Sequence, residues 1–111
     1  MKAVGLPGVA GDLQALPRRL REIAIGKITA VCRGELRGQP LAKQVRTGDL
    51  SDCRKVYFDD RGDRPPAWRI VYRERSDGSV EIIEVVAVGA RAESAVYLTA
   101  GQRLGRTEGD A

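Results

Sequence analysis

Lys55, Tyr57, Arg69, Arg91 and Tyr97 are the side chains whose types and spacing suit chemistry on an anion. The 111 residues contain no histidine, which excludes His triads, His metal sites and His acid–base pairs. Catalysis would fall to Lys, Arg, Tyr, Asp or Glu. Guanidinium forks match phosphate oxygens, lysine adds a compact charge, and tyrosine can stack on a base. A cleft holding three cations and a phenol therefore suits a phosphodiester. Each residue also has a plainer role: a solvated lysine, an arginine stem on Trp68, an arginine paired with Glu93, or a core tyrosine with a wet hydroxyl.

The elements that must position these residues follow from periodicity. In "CRKVYF" (53–58) Cys53, Lys55 and Tyr57 alternate with Arg54, Val56 and Phe58. "WRIVYRE" (68–74) sets Trp68, Ile70 and Tyr72 against Arg69, Val71 and Arg73. "SDGS" reads as a tight turn, and "VEIIEVVAV" (80–88) as a central strand covered on both faces. Pro65 and Pro66 exclude strand from the connection 59–67. Its "RGD" is read as chance. Arg91 then emerges just past the third strand, and Tyr97 from a short helix over 93–104 that Gly101 weakens.

Upstream, Leu13, Leu16, Leu20, Ile23, Ala24, Ile28 and Val31 form a helical stripe interrupted by Pro17. The spacing predicts a short helix or turn over 12–16, with Asp12 as its N-cap, and a longer helix over 17–33 ended by Gly34. "KAVGL" (2–6) is a weak first strand. Leu36, Leu41 and Leu50 should pin a long loop to the core. The whole is a single α+β domain over 1–111, with residues 105–111 expected to fray. Its helices cover one face of a meander and leave the other open as a binding surface.

The net charge is +4 and the pI about 9.4. Residues 13–37 carry net +4, residues 54–75 net +3 and residues 76–111 net −3. A basic centre points to a polyanionic partner such as nucleic acid, against a plain solvated surface. No apolar run approaches the roughly 20 residues of a membrane span, and the N-terminus is a poor signal peptide, so a cytoplasmic protein is expected. Cys32 and Cys53 suggest neither a disulfide framework nor a metal site and read as small buried apolar residues.

"SDCRKVYFDD…PAWRIVYRE…VEIIEVVAVGARAESAVY" resembles the RelE/ParE superfamily of bacterial toxins, on its RelE side. The pattern is a Lys-bearing strand, an aromatic-Arg-Ile-Val-Tyr strand, and an apolar strand closing in Val-Gly-x-Arg with Val-Tyr six residues past the Arg. It covers about 50–97 well and 12–50 loosely. The resemblance implies a RelE-like fold, with two N-terminal helices on an antiparallel meander and a short C-terminal helix. It implies a ribosome-dependent endoribonuclease that cuts mRNA in the ribosomal A site, without metal or cofactor. The implied partner is a cognate antitoxin. By the same resemblance Lys55 and Arg69 hold the scissile phosphate. Arg91 stabilises the transition state or the leaving oxygen, and Tyr97 stacks on a base. Tyr57, Arg54 and Arg73 are the accompanying candidates for substrate binding.

One position departs from the pattern. Where RelE has a second lysine two residues after the first, this chain has Tyr57. A phenol titrates at about pH 10 and becomes a base only where neighbouring cations lower that value. Two further readings stand beside the nuclease: a ParE-like inhibitor of DNA gyrase that cuts nothing, and a degenerate RNA- or protein-binding member.

Overall fold

The computed structural model describes residues 1–44, 47–76 and 78–106. The elements in chain order are β1 (Lys2–Gly5), α1 (Val9–Ala15), α2 (Arg18–Cys32), β2 (Gln39–Pro40), β3 (Lys43–Gln44), β4 (Gly48–Asp49), β5 (Cys53–Phe58), β6 (Trp68–Ser76), β7 (Glu81–Ala90) and α3 (Ala95–Arg103). A 3-10 turn over Ala92–Ser94 precedes α3. The main sheet runs β1-β7-β6-β5-β2, and β3 and β4 pair separately. The meander β5–β6–β7 forms as its alternation predicts. β1 adds to it in parallel with β7, so the sheet is mixed rather than wholly antiparallel.

α1 starts at Val9, not at Asp12, after Gly8 in the left-handed region at φ 100°. Asp12 is therefore inside the helix and not its N-cap. Leu16 ends α1 in an extended conformation because the residue before a proline is pushed out of the helical region. Arg21 reaches back to donate to the carbonyls of Leu13, Gln14 and Leu16, at 3.0, 3.2 and 3.1 Å, and so knits α1 to α2. α2 ends at Gly34 as expected: Gly34 N–H donates to Val31 O and Glu35 N–H to Ala30 O, the Schellman pattern.

Both faces of the sheet are covered, which corrects the expectation of one open face. Val56, Phe58, Ile70, Tyr72, Ile83, Val85 and Val88 pack under α1 and α2. Cys53, Val71, Val86 and Ala87 pack on the opposite face with Leu50 and with Val96 and Ala100 of α3. The run 85–88 serves both faces through a bulge. Val71 pairs with Ala87 but Tyr72 with Val85, so Val86 is an extra residue. Val86 and Ala87 thus both face α3.

The bulge lies beyond the end of β1, where β7 has no strand neighbour on that side. Two side chains take the strand's place. Arg103 Nη1 donates to Val86 O at 3.0 Å, and Val88 N–H donates to Asp12 Oδ2 at 3.0 Å. Asp12 and Arg103 are themselves joined through two bonds of 2.5 and 2.8 Å. Gly8 is needed here, because a Cβ on it would lie 2.6 Å from Arg103 Nη2.

Leu50 is buried, and Leu36 and Leu41 are partly buried against the core, as the loop reading required. Cys53 is buried and Cys32 half-buried, both free thiols. Burial, with Asp52 second, pushes the Cys53 thiol up to about 12. Of the C-terminal residues expected to fray, Arg106 is instead held. Its guanidinium engages both oxygens of Asp52, and its N–H donates to Gly101 O at 2.8 Å. Residues 107–111 lie outside the described residues. Among the described residues, no helix is long and apolar enough to cross a membrane.

Candidate active site

Register places Lys55, Tyr57 and Arg69 on the α3 face of the sheet, beside the helix. Lys55 lies opposite Val71, and Tyr57 opposite Arg69, which in turn lies opposite Gly89. Val71 is buried under α3, so the Lys55 row meets the edge of that helix. Val96 of α3 seats over Gly89 where β7 ends, at a distance that would put a Cβ there in ordinary contact, 3.6 Å from Val96 Cβ.

Tyr57 is the centre of this surface. The Arg69 guanidinium stacks over its ring at 3.9 Å, and Lys55 Nζ lies 5.3 Å from the same centroid. Its hydroxyl donates to Gln39 Oε1 at 3.4 Å. Tyr57 thus occupies the position between two cations, held against both by cation–π attraction.

Arg69 is only 5% exposed. Its Nη1 donates to the carbonyls of Pro66 and Trp68, while Nε is buried without a partner among the described residues. Its charge therefore reaches the surface next to Tyr57 rather than as a free fork. The loop that supplies Pro66 is organised by Asp59, whose carboxylate accepts N–H bonds from Asp60, Arg61 and Ala67. Those bonds, Ala67 first, hold the Asp59 carboxyl below its ordinary value.

Lys55 and Tyr97 line one cleft of about 260 Å³, together with Pro40, Leu41, Thr47 and Ser94. Their meeting joins residues 42 positions apart in the chain. It depends on the return of α3 over the sheet. Glu93 and Ser94 make that return in left-handed conformations, at φ 54° and 61°.

Arg91 stands exposed one residue past β7, tied down through its backbone, N–H to Ala67 O at 3.0 Å. Its guanidinium makes no hydrogen bond or ion pair among the described residues. Arg54 and Arg73 are placed apart. Arg54 faces away, bonded to Gly38 O at 2.7 Å and Glu74 at 2.7 Å. Arg73 is on the α3 face but bonds Glu84 at 2.5 Å and approaches Asp52 at 3.6 Å. Gln39, Thr47, Ser94 and the Pro66 carbonyl were not singled out from sequence. They are ordinary loop residues and carry no spacing signal.

No family model matches the chain, and no curated protein matches it. A solved structure of the toxin RelE from E. coli, a double arginine-to-alanine mutant in the free state, is similar to it with a TM-score of 0.64. The identity is 21%, and the match covers 93% of this chain and 96% of that one. The chain has a RelE-like fold. Within that RelE-like frame, the cleft between β5 and α3 brings Lys55 and Tyr97 together. Tyr57 and Arg69 stack beside it, and Arg91 is left exposed at the end of β7.

Proposed function

We propose that this protein is the toxin of a toxin–antitoxin pair and a ribosome-dependent endoribonuclease acting on mRNA. The observation that carries the reading is the pairing of Lys55 and Tyr97 across one cleft beside the Tyr57–Arg69 stack. In the proposed step the ribose 2′-oxygen attacks its own 3′ phosphorus. A P–O2′ bond forms and the P–O5′ bond breaks, giving a 2′,3′-cyclic phosphate and a 5′-hydroxyl. The 2′-hydroxyl gives up its proton as the 5′-oxygen takes one up.

Negative charge builds on the phosphorane, and cations already in place stabilise it more than the ground state. Lys55 meets the phosphate, Arg91 neutralises the transition state or the leaving oxygen, and Tyr97 stacks on a base. Arg69 acts through Tyr57, lending positive potential to the pocket edge. A cognate antitoxin, translated mRNA and a cytoplasmic setting belong to the same reading.

The test is expression without an antitoxin, followed by mapping of mRNA ends. Growth should stop, and translated messages should carry new 5′-hydroxyl ends. Arg91→Ala should lower single-turnover cleavage by about a hundredfold or more, the scale of losing one transition-state donor. A doubly substituted Arg91→Ala, Tyr97→Ala protein that remains as toxic as the parent would sink the assignment.

A second reading is a non-catalytic RNA-binding member of this fold. The burial of Arg69 against backbone carbonyls and the engagement of Tyr57 by Gln39 favour it. Tight RNA binding without any cut on translating ribosomes would select it.

A further inference from the structure

Lys55 borders a second depression on the far side of β2. Gln39 of β2 pairs with Lys55, and Pro40 with Arg54. Pro40 and Lys55 edge the Tyr97 cleft, whereas Gln39 and Lys55 edge a groove of about 210 Å³ between β5 and α2. The two-residue strand β2 is thus a low rim with Lys55 common to both sides.

The groove is basic and built. Lys27 lines it from α2, Lys55 from β5 and Arg37 from the connection, and no carboxylate lines it. Among the described residues neither Lys27 nor Lys55 has an ion pair. Arg37 shares Glu74 with Arg54. The floor is Gly38, where a Cβ would meet Lys55 O at 2.6 Å. Its N–H donates to the Tyr72 hydroxyl at 2.8 Å, and its carbonyl accepts from Arg54 at 2.7 Å. The floor is therefore held from the core side, and two lysines without carboxylate partners flank it.

We propose that this groove is a second phosphate subsite for single-stranded RNA. It takes a nucleotide flanking the one in the Tyr97 cleft, and the strand crosses β2 beside Lys55. This rests on reading the Tyr97 cleft as an RNA site. A lysine pair without carboxylates recognises a backbone phosphate as a point charge and reads no sequence.

The experiment is fluorescence anisotropy on the full chain with 2′-O-methyl oligouridylates of three and eight nucleotides, which cannot undergo 2′-oxygen attack. The longer oligonucleotide should bind tighter. Lys27→Ala should weaken it about three- to tenfold and lower its log–log salt slope by about 0.7, the value for one single-strand phosphate contact. It should leave the three-nucleotide affinity unchanged, with Lys27→Arg restoring the rest. An eight-nucleotide affinity and salt slope unchanged by Lys27→Ala would overturn the proposal. So would equally good competition by an octaglutamate peptide. Wild-type protein binding both lengths equally overturns the groove but spares the Tyr97 cleft. Binding of neither length overturns both.

Discussion

The carboxylate of Asp59 accepts the backbone N–H of Ala67 at 2.9 Å, and two arginines depend on that bond. Ala67 O in turn accepts the N–H of Arg91, and Pro66 O accepts Arg69 Nη1. Asp59 is thus a positioning residue for Arg69 and Arg91 that touches neither. Asp59→Ala should speed amide exchange at Arg91 severalfold and lower cleavage about tenfold, while the melting temperature changes little. Because hydrogen bonding depresses the Asp59 carboxyl, its contribution is complete above the unfolded value of 3.8 and is lost as pH falls through the lower folded value. The Arg91 amide of the wild type should therefore still be protected at pH 3.8 and loosen only in stronger acid. That of Asp59→Ala should be loose throughout. An Arg91 amide equally protected in both proteins at neutral pH would refute the link.

Asp52 gives a second acid-sensitive contact at the other end of α3. The hydrogen bond from Arg106 lowers its carboxyl from 3.8 to about 2, against an opposing burial effect. The folded value is the depressed one, so the stabilisation is present above 3.8 and disappears as pH falls through about 2. Asp52 is half exposed, so solvent screening limits the pair to about 1 kcal/mol or less. Thermal melting from pH 7 to pH 2 should show Asp52→Asn slightly below wild type at neutral pH. The two curves should converge at the acid end. A constant gap would remove Asp52 as the cause.

Asp12 shows where legibility ended. Its position before an apolar stripe suggested a cap, but the carboxylate instead completes the β7 bulge with Arg103, 91 residues away in the chain. Nothing local marks such a pair. Asp12→Ala would leave the Val88 N–H and a half-buried guanidinium without their partner. It should cost about 2–3 kcal/mol by urea denaturation, the scale of a lost charged hydrogen bond. A loss below about 0.5 kcal/mol, typical of a surface change, would show that the bulge stands without it.

The meander was legible for a related reason. Alternation in 53–58 and 68–74 assigns each residue to a face from its neighbours alone. The bulge at Val86 was hidden because a residue facing each side and a residue added to one side look alike in an apolar run. The second covered face was hidden too. It needs α3 to return over Gly89, and Val96 and Ala100 in a weak helix do not announce that. At the site, residue type flagged five candidates but not their surroundings. Arg69 and Arg91 are identical side chains. One is buried against Pro66 and Trp68, and the other is exposed, and only the loop 59–67 decides which.

The turn between Arg91 and Tyr97 stores strain that a substitution can release. Glu93 and Ser94 both sit in the left-handed region, where a Cβ crowds the following carbonyl at about 1–2 kcal/mol per residue. Glycine has no such penalty but loses more entropy on folding, which returns part of the gain. Ser94→Gly should therefore stabilise the fold by about 0.5–1 kcal/mol in urea denaturation. Ser94 also lines the Tyr97 cleft and caps α3 without a side-chain bond, so no capping contact is lost. If the strain also holds Tyr97 in place, the same variant should bind short oligonucleotides more weakly despite its greater stability. A variant both less stable and unchanged in binding would show that the left-handed pair carries no strain worth releasing.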